Sequence, residues 1–155
     1  MINRAQGMQI VQTAKASGEW TYSQGQPGEP AVNYAGRVGD CTDYCRNAVQ
    51  ATLGEIWAGG EKANTAAFRA GLAAGFTEVE STAAQPGDVV VQGGHAGIFT
   101  GVNSKGEIRA LADNGSPTSS VTGYRDSRTR VTTFGPGRFG QGPVRFFRPL
   151  VQEDP

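Results

Sequence analysis

The sequence predicts an α+β fold in which N-terminal helices pack on one face of an antiparallel sheet. Three observations carry this. Up to about residue 75 apolar residues recur at three- and four-residue spacing, the period of a helix with one buried face. Beyond it the period falls to two, and short β-branched runs alternate with turn formers. The 23 glycines in 155 residues are spread between these periodic segments, which marks tight turns and close backbone approaches. No internal repeat or compositional break divides the chain, so a single catalytic domain over residues 1–155 is expected, long enough to bury a core without metals or disulfides.

In order, residues 4–17 place Met8, Ile10, Val11 and Ala14 on one helix face before Gly18 stops the run. Between Gly18 and Gly39, Trp20, Tyr22, Pro27, Pro30 and Tyr34 stand among glycines, and an ordered loop is expected that delivers the chain to Asp40. Then Cys41, Tyr44, Cys45, Ala48, Val49, Thr52, Leu53 and Ile56 follow the i, i+3, i+4, i+7 stripe. Asp40 is the N-cap of this helix, which ends near Gly54 or Gly59-Gly60. Asn64 or Thr65 caps a shorter helix that stops at Gly75. Residues 76–80 alternate, Gln85-Pro86-Gly87 turns, and residues 88–91 form a short strand. Residues 96–102 and 107–112 make a hairpin, with Ser104-Lys105 as its two-residue turn. Further strands are expected at 119–123, 129–134 and 144–147, Pro149 ending the last, with a glycine-rich connection over 135–143.

Composition narrows the function. With 14 basic and 14 acidic residues the net charge is zero, so nothing in the overall balance points to nucleic acid or an anionic membrane. Two cysteines four residues apart on one helix face are poorly placed for a disulfide, and with one histidine they supply too few ligands for structural zinc. The first residues lack the apolar core of a signal peptide, and no long apolar run follows. A monomer is expected, made in the cytoplasm and exported, if it works outside, by a specialised route.

A cysteine at a helix start is where a thiol ionises most easily, because the positive end of the helix dipole favours thiolate. Cys41 is therefore a candidate nucleophile. His95, the one histidine, stands just before the hairpin's first strand. A two-residue turn at Ser104-Lys105 sets Asn103 opposite Gly106 and, carried along the hairpin, His95 opposite Asn114. An amide or carboxylate there can accept the second imidazole N–H and fix the tautomer. A slip of one residue substitutes Asp113. Each feature also has an ordinary reading: a buried cysteine is a small hydrophobe, a lone histidine a satisfied core residue, and Asp113-Asn114-Gly115-Ser116-Pro117 a turn. Together, in this chain order, they form a Cys, His, Asn/Asp constellation.

The segment NYAGRVGDCTDYCRNAV resembles that of NlpC-type papain-like peptidases, in which Tyr-x-Gly precedes Asp-Cys-Ser-Gly-Phe-Val. The segment QPGDVVVQGGHAGIFTGV resembles their Pro-Gly-Asp-hydrophobic run followed by His-Val-Gly-Ile-Tyr-x-Gly, while ADNGS and VRFFRPL are similar to the related CHAP amidases. The resemblance covers about residues 5–150 and implies a papain-like core. It implies Cys41 as nucleophile, His95 as general base, Asn114 or Asp113 as the third polar residue, and Tyr34, with Asp40 and Thr42, on the substrate side. Thr42-Asp43 replaces the family's Ser-Gly, which puts a carboxylate in the first turn whose charge opposes the thiolate. Cys45 takes a hydrophobic position and is expected in the core.

The mechanism so implied is thiolate attack on an amide carbonyl, with helix-start amides and the N–H of Cys41 stabilising the oxyanion and no metal or organic cofactor required. The implied substrate is the peptide part of peptidoglycan, held in an open groove between loops near 24–38 and 135–143. The expected biology is an antibacterial toxin delivered by type VI secretion, acting in a target cell's periplasm and restrained in its producer by an immunity protein. A phage lysin or tail-associated hydrolase fits the same residues. So do a non-catalytic papain-like binding module and a cytosolic thiol hydrolase acting on another amide or thioester.

Overall fold

The computed structural model describes residues 1–54, 75–113, 129–136, 138 and 142–150. The helix expected over about 64–75 and the strand at 119–123 lie outside these residues.

Helix α1 (Arg4–Ala16) begins with a reciprocal cap: Asn3 Oδ1 accepts from Gln6 N–H and Gln6 Oε1 from Asn3 N–H, both at 2.9 Å. Its buried face is Gly7, Ile10, Val11 and Ala14. Met8, expected on that face, is 40% exposed. Gly7 replaces it because the chain at Pro86-Gly87 crosses so closely that a Cβ at Gly7 would overlap the Pro86 carbonyl oxygen.

The loop after α1 is tied at both ends. Strands β1 (Thr21–Tyr22) and β2 (Val38–Gly39) pair in parallel, and Ser23 N–H donates to Gly39 C=O at 3.0 Å. Trp20, buried beside β1, packs edge-on against Tyr44 at 5.9 Å. Helix α2 (Cys41–Leu53) therefore starts from an anchored point and ends at Leu53 with Gly54 as C-cap, the earlier of the two expected ends. Cys41, Tyr44, Cys45, Ala48 and Val49 are its buried apolar stripe. The Tyr44 hydroxyl donates to the Ala14 carbonyl at 3.1 Å, which satisfies an acceptor in the last turn of α1.

The sheet comprises β3 (Phe76–Val79), β4 (Val89–Gln92), β5 (His95–Val102), β6 (Ile108–Asp113), β7 (Thr129–Phe134) and β8 (Arg145–Pro149). The strand order is β3-β8-β4-β5-β6-β7, antiparallel throughout. The last strand lies inside the sheet and runs on to Pro149, whose carbonyl accepts from Ile2 N–H at 3.1 Å. Arg148 of β8 and Asp88, just before β4, form a buried two-point ion pair at 2.9 and 3.0 Å.

Alternate residues enter two cores. Val89, Val91, Ala96, Ile98, Leu111 and Phe147 face the helices, together with Cys41, Tyr44 and Cys45. Val90, Phe99, Ala110, Phe134 and Phe146 form a second buried cluster on the other face. The helices cover one face as expected, but both faces carry a buried cluster. That explains why Val89-Val90-Val91 is a continuous apolar run and not an alternating one.

Candidate active site

The start of α2 is held by two carboxylates that cap each other's backbone. Asp40 Oδ1 accepts from the N–H of Thr42 and of Asp43, both at 3.0 Å, and from the Thr42 hydroxyl at 2.8 Å. Asp43 Oδ2 accepts from Asp40 N–H at 2.9 Å, and its Oδ1 from the Tyr34 hydroxyl at 2.9 Å. Tyr34 is further fixed edge-on against Trp20 at 6.1 Å, with the Arg46 guanidinium 6.0 Å from its ring centre. Burial first, then the charge of Asp43 and its hydrogen bond, push Tyr34 ionisation well above the usual phenol range. Gly39 makes room for this arrangement: a Cβ there would stand 2.5 Å from Cβ of Asp43.

The cap gives Asp43 a structural role that the sequence did not announce. Asp43 is buried and serves as the second half of a capping box, so its charge is engaged by two donors of the helix start and its loop. The cap also takes helix amides. Those of Thr42 and Asp43 are bound by Asp40 Oδ1, and that of Tyr44 by the Asp40 carbonyl at 3.0 Å. They are not aimed at a substrate, so the expectation that the helix-start amides as a group stabilise an oxyanion is corrected. The side chains of Asp40 and Thr42 are buried and bonded to each other.

Cys41 is buried at the first helical position, its Sγ 4.0 Å from the carbonyl oxygen of Gly94. That carbonyl belongs to the peptide bond leading into His95, so the thiol abuts the turn that presents the imidazole. Cys45, one turn on, is packed in the helix-facing core, and both residues are thiols. His95 opens β5, paired with Gln92 across Gly93-Gly94, and its ring stacks on Phe134 at 5.5 Å with planes 10° apart.

At Phe99 and Ile98 the hairpin returns to the expected register, by a different route. The turn is not a simple two-residue loop. Gly106, at φ 78°, donates to Asn103 C=O, and Asn103 N–H donates to Glu107 C=O, so Asn103 pairs with Glu107 and not with Gly106. This moves Val102 opposite Ile108 and Gly101 opposite Arg109. A β-bulge between Phe99 and Gly101 then moves the pairing back, giving Phe99 opposite Ala110 and Ile98 opposite Leu111. The last two pairs are those that a two-residue turn at Ser104-Lys105 predicts. The backbone of Asp113 ends β6 opposite Thr129. Its side chain, and all of Asn114, lie outside the described residues.

Residues 29–114 match the CHAP domain. The chain belongs to the CHAP domain family. Members of that family are papain-like cell-wall hydrolases, generally cysteine amidases or peptidases that act on peptidoglycan. No curated protein matches the chain. The CHAP match takes in Tyr34, Cys41, His95, Asp113 and Asn114 and stops at the end of β6, so β7 and β8 lie beyond it. Two residues against the candidate site escaped the sequence reading. Phe134 lies in β7, two places from β5 in the sheet, and Gln92 reads as an ordinary strand residue. No local pattern links Phe134 to His95, whereas Gln92 is its partner across Gly93-Gly94, a two-glycine turn that the sequence does signal.

Proposed function

We propose that this CHAP domain hydrolyses an amide bond in the peptide stem or cross-link of peptidoglycan, with Cys41 as nucleophile and His95 as general base. The observation that carries the proposal is Cys41 Sγ at the capped start of α2, 4.0 Å from the carbonyl that leads into His95, inside the segment that matches a family of cysteine cell-wall hydrolases. In the proposed mechanism His95 takes the thiol proton, the thiolate attacks the amide carbonyl, and the imidazolium protonates the leaving amine. Water then resolves the thioester. Cys41 N–H, at the first position of α2, is assigned to the oxyanion. Asn114 or Asp113 orients the imidazole. Tyr34, Asp40 and Thr42 act on the substrate side by shaping the helix start, and peptidoglycan peptide is the partner.

The assay is muropeptide release from purified peptidoglycan by the wild type and by Cys41→Ala, with products identified by mass spectrometry. New amine termini from the wild type alone are expected. Identical products from both proteins, or none from either, would sink the reading. The biological setting proposed with it is an antibacterial toxin delivered by type VI secretion and held in check by an immunity protein. Lysis on expression with a periplasmic leader, and none on cytosolic expression, is the expected outcome; toxicity in the cytosol overturns the wall target.

A further inference from the structure

The end of β4 and the end of β7 lie three places apart in the sheet, yet they are joined through one buried side chain. Gln92, 1% exposed, donates from Nε2 to the Gly135 carbonyl at 2.6 Å and accepts at Oε1 from Gly135 N–H at 3.0 Å. The same Nε2 reaches the Gly142 carbonyl at 3.3 Å. The amide thus engages both backbone groups of Gly135, as a neighbouring strand would, and holds the other end of the glycine-rich connection as well. The residue before Gly135 is Phe134, whose ring stacks on His95, and His95 is Gln92's own partner across a two-residue turn. Four residues therefore close a ring: Gln92 to Gly135, Gly135 to Phe134, Phe134 to His95, and His95 back to Gln92.

An aliphatic side chain could fill the same volume without the desolvation cost of burying an amide. What the amide adds is register, since its fork fits one backbone position of the facing segment. We propose that Gln92 is a positioning residue for His95, a side-chain latch that keeps the Phe134 ring on the imidazole and so aims the imidazole at Cys41. The proposal rests on the reading of His95 as general base. Its physical content is that a slackened latch lets the ring turn, and a displacement of about 1 Å in a catalytic group can cost on the order of a hundredfold in rate.

Because the chain has one histidine, the imidazole resonances need no separation from others. In the wild-type chain, nuclear Overhauser contacts between the rings of His95 and Phe134 are expected, and their absence overturns the latch at once. Gln92→Met keeps length and bulk but removes both hydrogen-bonding functions. Folded by circular dichroism, it should lose those contacts, and iodoacetamide labelling of Cys41 at pH 7, followed by peptide mass spectrometry, should slow at least tenfold. Phe134→Leu should slow the labelling similarly. If Gln92→Met does not fold, Gln92→Asn, with an amide one methylene short, is measured in the same way. A folded variant at Gln92 with ring contacts and labelling rate intact overturns the latch. His95→Ala separates the two readings. If it labels as fast as the wild type, the catalytic reading fails; if it labels slowly while Gln92→Met labels normally, only the latch fails.

Discussion

At the scale of single residues, Asp43 and Tyr34 carry a lesson about reading charge from sequence. A carboxylate in the first turn of α2 reads from sequence only as an opponent of the neighbouring thiolate, and the structure adds a second role, its oxygens accepting from Asp40 N–H and the Tyr34 hydroxyl. Tyr34→Phe removes one hydrogen bond to a charged acceptor. It should cost about 1 kcal/mol near neutral pH, the low side of the range because the ring is only half-buried. The raised Tyr34 ionisation adds a pH signature. Below about pH 10 folded and unfolded chains both hold the phenolic proton, so its contribution is fully present. Above that pH the unfolded chain releases the proton while the folded chain keeps it, so stability falls. The gap in unfolding free energy between wild type and Tyr34→Phe should therefore shrink as pH rises past about 10, read by urea denaturation. A gap that stays constant into the alkaline range would refute this.

At the scale of elements, the join between β4 and β8 is polar where its surroundings are apolar. Arg148 bonds both oxygens of Asp88 and also the Ala83 carbonyl, while Asp88 Oδ2 accepts from Gln85 N–H at 2.8 Å. The pair fastens the turn before β4 to a strand 60 residues later. Breaking it from one side leaves a buried carboxylate without its cation, which typically costs about 3–5 kcal/mol. Arg148→Leu should show a loss of that size in chemical denaturation. The exposed Glu78–Arg145 pair at 2.7 Å offers a control: Arg145→Leu should cost about 1 kcal/mol or less. Equal losses at the two sites would contradict the assignment of the buried pair as the structural one.

At the scale of the whole molecule, the sheet is sandwiched between two buried clusters. Phe147 points to the helices and Phe146 to the opposite cluster, and both are buried. A sheet with one wet face would tolerate truncation of one of them almost freely. Here Phe146→Ala and Phe147→Ala should each lower stability by about 3–5 kcal/mol. A variant at either position that unfolds within about 0.5 kcal/mol of wild type would show that its face is open to water. The same enclosure brings the end of β7 back to the β4–β5 turn, where Phe134 meets His95.

The sequence by itself determined much of this protein. The helical stripe from Cys41 to Leu53, Asp40 as its cap, the strand-start histidine, and the change of period near residue 75 are local patterns, fixed by capping chemistry and side-chain periodicity. Those patterns placed Cys41 and His95 within the family's frame. What only the tertiary structure decided is non-local. The hairpin returns to the expected register at Phe99 and Ile98 because a glycine-closed turn and a β-bulge displace the pairing by one residue in opposite directions, and neither is encoded by alternation. Asp43's role depends on a tyrosine nine residues earlier, delivered by a loop that two short parallel strands pin. The company of His95, Phe134 with Gln92 behind it, follows from how the strands come together in space. A strand's sequence specifies which face each residue takes, but not which distant strand end that face will meet.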